Sequence, residues 1–383
     1  MRRRILNLDD FQAAARRHLP RPVYEYVAGA VEDGQAVRAN RASFDDWSFL
    51  PRVLVDVSQR SQERPLLGRN YATPFGIAPV GLSALAAYRG DLVLAQAAAK
   101  ADTLMIVSGS SLIRLEDIVR VNPQAWFQAY LPGKRAEIDA LIARVRTAGF
   151  GTLVVTVDFP VAGNRENNIR AGFSTPIRPT LRLALDGLTH PSWTLGTFLR
   201  TLLQHGMPHF ENNYATRGAP ILSRRVLRDV SDRGDFDWKD LAHLRAIWPG
   251  HLVVKGLLHP DDARRARDLG ADAIVVSNHG GRQLDSAVAP LRVLPEMVAA
   301  CAPLPVLIDG GFRRGGDVLK ALALGAAHVL LGRPFLFAAS VAGEAGVTQA
   351  ITLLSAEISR NMALLGIRDL DELGPHHLLT NRP

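Results

Sequence analysis

The chain has a single cysteine, Cys301, among 383 residues. It cannot form an internal disulfide, and no Cys/His cluster has zinc spacing. No structural metal is expected, and a reducing compartment is. No uninterrupted apolar run approaches the roughly 18 residues that span a bilayer. The first residues, "MRRRILNLDDFQAAARRHLP", reach Asp9 and Asp10 before any apolar core forms, so a secretion signal is not expected. Arg2, Arg3 and Arg4 read as a solvated terminus. No aromatic-rich basic motif or nucleic-acid module is present, which argues against nucleic acid as a partner.

What is there is ordinary soluble composition, 47% hydrophobic and 21% charged, with an excess of base. Lysine and arginine number 45 against 37 acids, a net charge of +8. Such a balance favours anionic partners, whether a membrane surface or small anions. The length suits one large α/β barrel or two to three smaller domains.

One pattern recurs along the chain. Short runs rich in Val, Ile and Leu occur at "FGIAPV" (75–80), "TLMIVSG" (103–109), "AWFQAY" (125–130) and "TLVVTVD" (152–158). Four more follow at "HLVVKG" (251–256), "AIVVSN" (273–278), "PVLIDGG" (305–311) and "HVLLGR" (328–333). They are continuous rather than alternating, as parallel strands buried on both faces are. Helix-like segments lie between most of them, at 90–101, 134–149, 260–271 and 315–327. The last three reach their stops at Gly149, Gly270 and Gly325. Eight such units predict a (β/α)8 TIM barrel. A doubly wound sheet is the rival, but no Gly-x-Gly-x-x-Gly follows the first strand. Residues 1–72 read as an N-terminal helical segment and 73–383 as the barrel, with 159–237 as a long insertion after strand four.

Barrels of this kind carry their sites at the C-terminal ends of the strands. The eight runs deliver there Pro79, Val80 and Gly81; Ser108; Gln128 and Tyr130; Thr156 and Asp158; Lys255; Ser277, His279 and Arg282; Asp309, Gly311 and Arg313; and Gly332 and Arg333. A histidine can act as a base near neutral pH, and a carboxylate stabilises the cation that forms. Arginine grips a carboxylate with two parallel hydrogen bonds. The turns "DGGFRRGG" and "GRP" offer backbone N–H groups to a phosphate. Any one of these residues alone is more often a satisfied structural side chain. The agreement across eight strand ends points to a site.

The string "SNHGGRQLD" (277–285) stands out among these. With "LPRPVYEYVAGAVED", "APVGL", "WFQAY", "TVD", "VVKGLL", "LIDGGFRRGGDVLKALALGA" and "LLGRP", it makes the chain resemble the FMN-dependent 2-hydroxy acid oxidase and dehydrogenase family over nearly its whole length. "LALDGLTHPSWTL" and "QHGMPHF" look closest to that family's mandelate dehydrogenase branch. The resemblance implies FMN as cofactor and oxidation of an (S)-2-hydroxy acid to the 2-oxo acid. It implies His279 as the base, oriented by Asp158, with Arg282 and Arg165 on the substrate carboxylate helped by Tyr26. Tyr130 would meet the substrate hydroxyl, and Lys255 would stand beside the flavin. Pro79, Val80, Gly81, Ser108, Gln128, Thr156, Ser277, Asp309, Gly311, Arg313, Gly332 and Arg333 complete the implied cofactor site.

Substrate and acceptor are less sharply implied. Where glycolate oxidases carry a bulky Trp after the second strand, this chain has "SGSS", with Ser110 at about that place. The space suits mandelate or a ring-substituted mandelate first and L-lactate second. Gly81, where oxidases of the family usually have Ala, favours a dehydrogenase passing electrons to a quinone or other carrier. Residues 175–210 mix Leu, Trp and Phe with Arg and His, which suits a membrane surface, a lid or a subunit contact. The resemblance further implies a homotetramer in the cytoplasm, peripheral on the cytoplasmic side of the inner membrane. A flavin-dependent isomerase, a non-catalytic FMN carrier and a decarboxylating monooxygenase are the distant alternatives. The complete hydroxy acid pocket argues against the first two.

Overall fold

The computed structural model describes residues 5–223 and 231–381. The run Arg2–Arg4 and residues 224–230 of the expected insertion lie outside them. Eight parallel strands close into a barrel. In chain order they are β1 (Phe75–Ile77), β2 (Leu104–Ser108), β3 (Trp126–Ala129), β4 (Thr152–Thr156), β5 (His251–Leu257), β6 (Ala273–Val276), β7 (Val306–Asp309) and β8 (His328–Leu331). Each pairs with its sequence neighbours, and β8 closes on β1 through Val329–Phe75 and Leu331–Ile77. The expected (β/α)8 fold is therefore present, with every predicted run supplying one strand.

The strands are short and, apart from His251 and Gly256 of β5, buried, because both their faces are covered. One parity points inward: Leu104, Ile106, Trp126, Val154, Val253, Val275, Leu307 and Leu330 fill the barrel. The other parity, including Val107, Phe127, Val155, Val254 and Ile308, packs against the surrounding helices. A hairpin of Arg64–Leu66 and Arg69–Tyr71 adds Leu66 and Tyr71 to the interior cluster.

A helix follows each strand. Arg135–Ala148 stops at Gly149, which takes the left-handed conformation that a helix C-terminus favours. Trp238–Ile247 begins with a capping box between Asp237 and Asp240. The last helical run, Arg333–Leu365, is broken by non-helical backbone at Ala342 and Gly343. It is the one helix among the described residues long and apolar enough to cross a membrane, but it is half buried. It packs on the helices Leu8–His18 and Gly90–Lys100, as an outer helix of the barrel does.

Before the barrel lie the helices Leu8–His18, Arg21–Ala28 and Gln35–Ala42. The second carries Tyr26 towards the barrel mouth. Strand Trp47–Phe49 pairs antiparallel with Leu378–Thr380, tying the two ends of the chain together.

Between β4 and its helix the described insertion carries several helical segments. It contains Glu166–Ala171, Leu181–Leu188 and a run from Pro191 to His205 with a π-helical stretch at Thr194–Leu199. Trp193 anchors that run by donating its indole N–H to the Leu85 carbonyl at 2.9 Å. Helix Leu181–Leu188 buries none of its residues. Leu181, Leu185, Leu188, Leu195 and Leu203 all face outward.

Candidate active site

The C-terminal ends of the strands converge on one cavity, as the parallel arrangement requires. The turn after β6 is its most constrained part. His279, Gly280 and Gly281 take φ values of 57°, 64° and 71° in succession. Glycine adopts this region freely, but His279 does so at a cost of about 1 kcal/mol. The surroundings enforce it. Ser277 Oγ accepts from the His279 N–H at 3.0 Å, and Asn278 Oδ1 accepts from the Gly281 N–H at 3.1 Å. Asn278 is itself locked by a reciprocal amide pair with Asn40 at 2.9 and 2.7 Å. A Cβ on Gly281 would come within 2.7 Å of the Val37 backbone, so a side chain is excluded there.

This turn presents the His279 ring between two partners. Nδ1 lies 2.8 Å from Asp158 Oδ1, and Nε2 lies 3.2 Å from the Tyr130 hydroxyl. Nδ1 bound to a carboxylate carries the proton, which leaves the Nε2 lone pair facing Tyr130 and the cavity. Burial alone would raise the Asp158 pKa, but His279 and Lys255 more than reverse this and hold it below the ordinary value. The carboxylate is therefore ionised. Burial and the nearby Asp158 charge push Tyr130 up, so its hydroxyl stays protonated as a donor.

Lys255 sits beneath the cavity at the end of β5. Its ammonium is 2.8 Å from Asp309 Oδ2 and donates to Ser277 Oγ at 2.8 Å. Burial opposes its charge, yet Asp309 and Asp158 raise its pKa above the ordinary value. It remains a cation.

The arginines crowd the rim. Arg282 donates to the Gly29 carbonyl at 2.9 Å and rests over the Tyr26 ring. Arg165 donates to the Arg282 carbonyl and to Gln283 Oε1. Arg333 donates to the carbonyls of Val27, Gly280 and Gly29, close to Arg282. Burial, then Arg165, lowers Arg282 to about 10. Burial, then Arg282 and Arg313, lowers Arg333 well below its ordinary value. Buried guanidiniums that depress one another form a site that calls for anions.

Most of the residues expected from the sequence meet here. Tyr26, Pro79, Val80, Gly81, Tyr130, Thr156, Arg165, Lys255, His279, Arg282, Asp309, Gly311, Arg313, Gly332 and Arg333 all line the cavity. Four do not border it. Asp158 stands behind His279, and Ser277 stands behind Lys255. Ser108 and Gln128 lie deeper in the barrel, joined at 3.3 Å. Ser110 borders the cavity and donates to Asn213 Oδ1 at 3.4 Å, so the insertion reaches this wall too. Phe159 and Arg233 also line the cavity and were not anticipated. Phe159 directly follows the last residue of the fourth apolar run, so it was within reach of a strand-end reading. Nothing in the sequence near Arg233 marks it.

The cavity wall and the barrel end beneath it have chemistry that fits FMN. Among the described residues, Gln128 Nε2, Thr156 Oγ1 and Asp309 Oδ1 are buried without a hydrogen-bond partner. Such atoms are rare unless a ligand meets them, and a flavin edge offers matching N–H and C=O groups. The glycine turns after β7 and β8 leave the far end open to a phosphate. A Cβ on Gly332 would meet Val80 at 3.1 Å, and one on Gly311 would meet the Asn40 backbone at 2.8 Å.

Comparison with known proteins agrees with this geometry. The family described as FMN-dependent dehydrogenase matches residues 15–380. The chain belongs to that family. It is 40% identical over 379 residues to (S)-mandelate dehydrogenase of Pseudomonas putida, covering 99% of this chain and 95% of that one. It is 40% identical over 376 residues to L-lactate oxidase of Nostoc sp., covering 96% of each. Among solved structures, that of the monotopic membrane protein (S)-mandelate dehydrogenase superposes with a TM-score of 0.90 at 39% identity, covering 99% of this chain and 100% of that one. The expected family, fold, FMN dependence and oxidoreductase class all hold.

Proposed function

We propose that the chain oxidises (S)-mandelate or a ring-substituted mandelate to the 2-oxo acid and passes the electrons to a quinone or similar carrier. The observation that carries this reading is the His279 ring held between Asp158 and Tyr130, across one cavity from Arg165 and Arg282. FMN, when bound, accepts the two electrons that leave the substrate. The protein's own residues do the rest.

Arg282 and Arg165 hold the substrate carboxylate, and Tyr26 steadies Arg282 through its ring. Tyr130 hydrogen-bonds the substrate hydroxyl. His279 Nε2 takes the substrate proton. Asp158 keeps the ring in the right tautomer and stabilises the imidazolium. Lys255, held as a cation by Asp309, would supply fixed positive charge to the cofactor ring, a contribution of a few kcal/mol. Gln128, Thr156 and Asp309 would meet the cofactor ring and ribityl chain. Gly311, Arg313, Gly332 and Arg333 would meet its phosphate.

The aromatic substrate is supported by Ser110, a small residue on the cavity wall, and by the relatives that act on mandelate. The second reading is L-lactate, supported by the lactate oxidase relative. Gly81 beside Ser110 supports a dehydrogenase over an O2-using oxidase. The outward leucines of 181–203 and the basic Arg178, Arg182 and Arg200 support peripheral attachment to an anionic membrane. A tetramer, peripheral on the cytoplasmic side of the inner membrane, completes the proposal.

The deciding experiment is anaerobic. The yellow protein is mixed with (S)-mandelate, and the visible flavin absorption is followed. Prompt bleaching is expected, with slow return of colour in air. Bleaching by L-lactate but not mandelate would overturn the substrate, and bleaching by neither would overturn the pocket assignment.

A further inference from the structure

The insertion leaves the barrel just after Asp158 and returns just before the helix Trp238–Ile247. Its two stems meet at Phe159 and Arg233, which both line the catalytic cavity. The Arg233 guanidinium carbon lies 5.1 Å from the Tyr130 ring centroid and 5.4 Å from that of Phe159. Both rings pack on the base. Phe159 is 5.2 Å from Tyr130 and 6.0 Å from the His279 ring, and Tyr130 is 6.2 Å from His279. Arg233 is only 6% exposed, so its charge acts in a poorly solvated place.

We infer that Arg233 is a positioning residue that holds the Tyr130 and Phe159 rings against His279 and sets the charge around the base. The inference rests on His279 being the base of the proposed reaction. Among the described residues, other charged and titratable groups surround that ring. Asp158 faces Nδ1 from the end of β4, and Tyr130 faces Nε2 from β3. Lys255 lies below on β5, paired to Asp309 of β7. Arg282 is on the same turn, Arg165 comes from the outgoing stem, and Arg333 grips the Gly280 carbonyl. Arg233 adds a cation from the returning stem. A cation at this side opposes positive charge on the His279 ring.

The test is the pH profile of kcat/KM with Arg233→Met and Arg233→Lys, both loaded with FMN and checked by their visible spectra. Arg233→Met is expected to lose about 10-fold in kcat with KM held within about 3-fold. Its acid limb should move to higher pH. Arg233→Lys keeps the charge but not the planar stack, so it should keep the limb and recover only part of kcat. Combining Arg233→Met with Phe159→Leu should cost less than the product of the two single losses, because both break one contact.

An unchanged profile in Arg233→Met, a rise in KM alone, or wild-type kcat in Arg233→Lys would overturn the inference. If Arg233→Met fails to hold FMN, Phe159→Leu tests the link from its other end, and wild-type kcat there overturns it. His279→Ala separates the two levels. Turnover in that variant removes the base assignment itself, whereas a dead His279→Ala beside an unaffected Arg233→Met removes only the role of Arg233.

Discussion

Asp158 Oδ1 lies 2.8 Å from His279 Nδ1, on the side of the ring away from Tyr130. The contact does two separable things. It fixes which nitrogen carries the proton, and it lowers the energy of the imidazolium. Asn in place of Asp158 can still accept from Nδ1 but brings no charge, and its amide can turn to favour the wrong tautomer. Asp158→Asn should therefore keep FMN and lose about 100- to 1,000-fold in kcat. The rate of anaerobic flavin reduction by the hydroxy acid measures this. A loss below about 3-fold would mean that the pair is structural.

Gly81 and Ser110 define the other wall of the same cavity. A Cβ at position 81 would come within 2.9 Å of Ser110 Cβ and 3.5 Å of the Tyr26 hydroxyl. The first contact is too short to persist, so one wall must move. Gly81→Ala should lower kcat/KM for mandelate by about 10-fold. Gly81→Ala combined with Ser110→Gly, which removes the clashing atom, should recover most of that loss. Steady-state kinetics on the three variants decides it. Equal losses in the single and double variants would place the cause elsewhere.

These walls also mark the boundary of what sequence reading reaches. The eight strands were legible because each is a continuous Val/Ile/Leu run buried on both faces. The residues at their C-terminal ends were legible because closing a parallel barrel brings those ends together. Phe159 and Arg233 were not, since they are 74 positions apart and meet only when the insertion closes on itself. The pairing of Trp47–Phe49 with Leu378–Thr380 escaped for the same reason, being short and joined across nearly the whole chain. The insertion's composition suggested an amphipathic segment. Its helices and their anchor, Trp193 on the Leu85 carbonyl, depend on tertiary packing that no local pattern encodes.

His328 lies at the start of β8, fully buried, its ring 5.6 Å from that of Tyr71. Its ring nitrogens approach only the Phe75 and Ala327 backbone, and among the described residues neither makes a well-formed hydrogen bond. Burial lowers its pKa to about 3. The folded protein thus keeps it neutral, while the unfolded chain takes up a proton near pH 6.5. Its share of stability is whole above pH 6.5 and is lost as pH falls towards 3. His328→Leu removes this linkage. At pH 4.5 the variant should lose about 2.7 kcal/mol less stability, relative to pH 7.5, than the wild type. Urea melts at the two pH values test this, and parallel losses in both proteins would reject it.

The arm of residues 181–203 offers the sharpest separation of binding from chemistry. Leu181 and Leu203 are each 86% exposed, and Leu185, Leu188 and Leu195 lie outward with them. Exposed aliphatic side chains gathered on one arm are what an interaction surface offers. Each leucine moved into the acyl boundary contributes on the order of 1–2 kcal/mol, so several together suffice for stable attachment. The flanking Arg178, Arg182 and Arg200 are exposed and would meet anionic headgroups. Replacing Leu181, Leu185, Leu188 and Leu203 by Ser should shift the protein from the pelleted membrane fraction to the supernatant. Flavin reduction by mandelate should stay within about 3-fold, because none of these side chains borders the cavity. A variant that still sediments with membranes would transfer the attachment to another surface. A wild type that never sediments, even with anionic vesicles at low salt, would make the arm a contact between subunits instead.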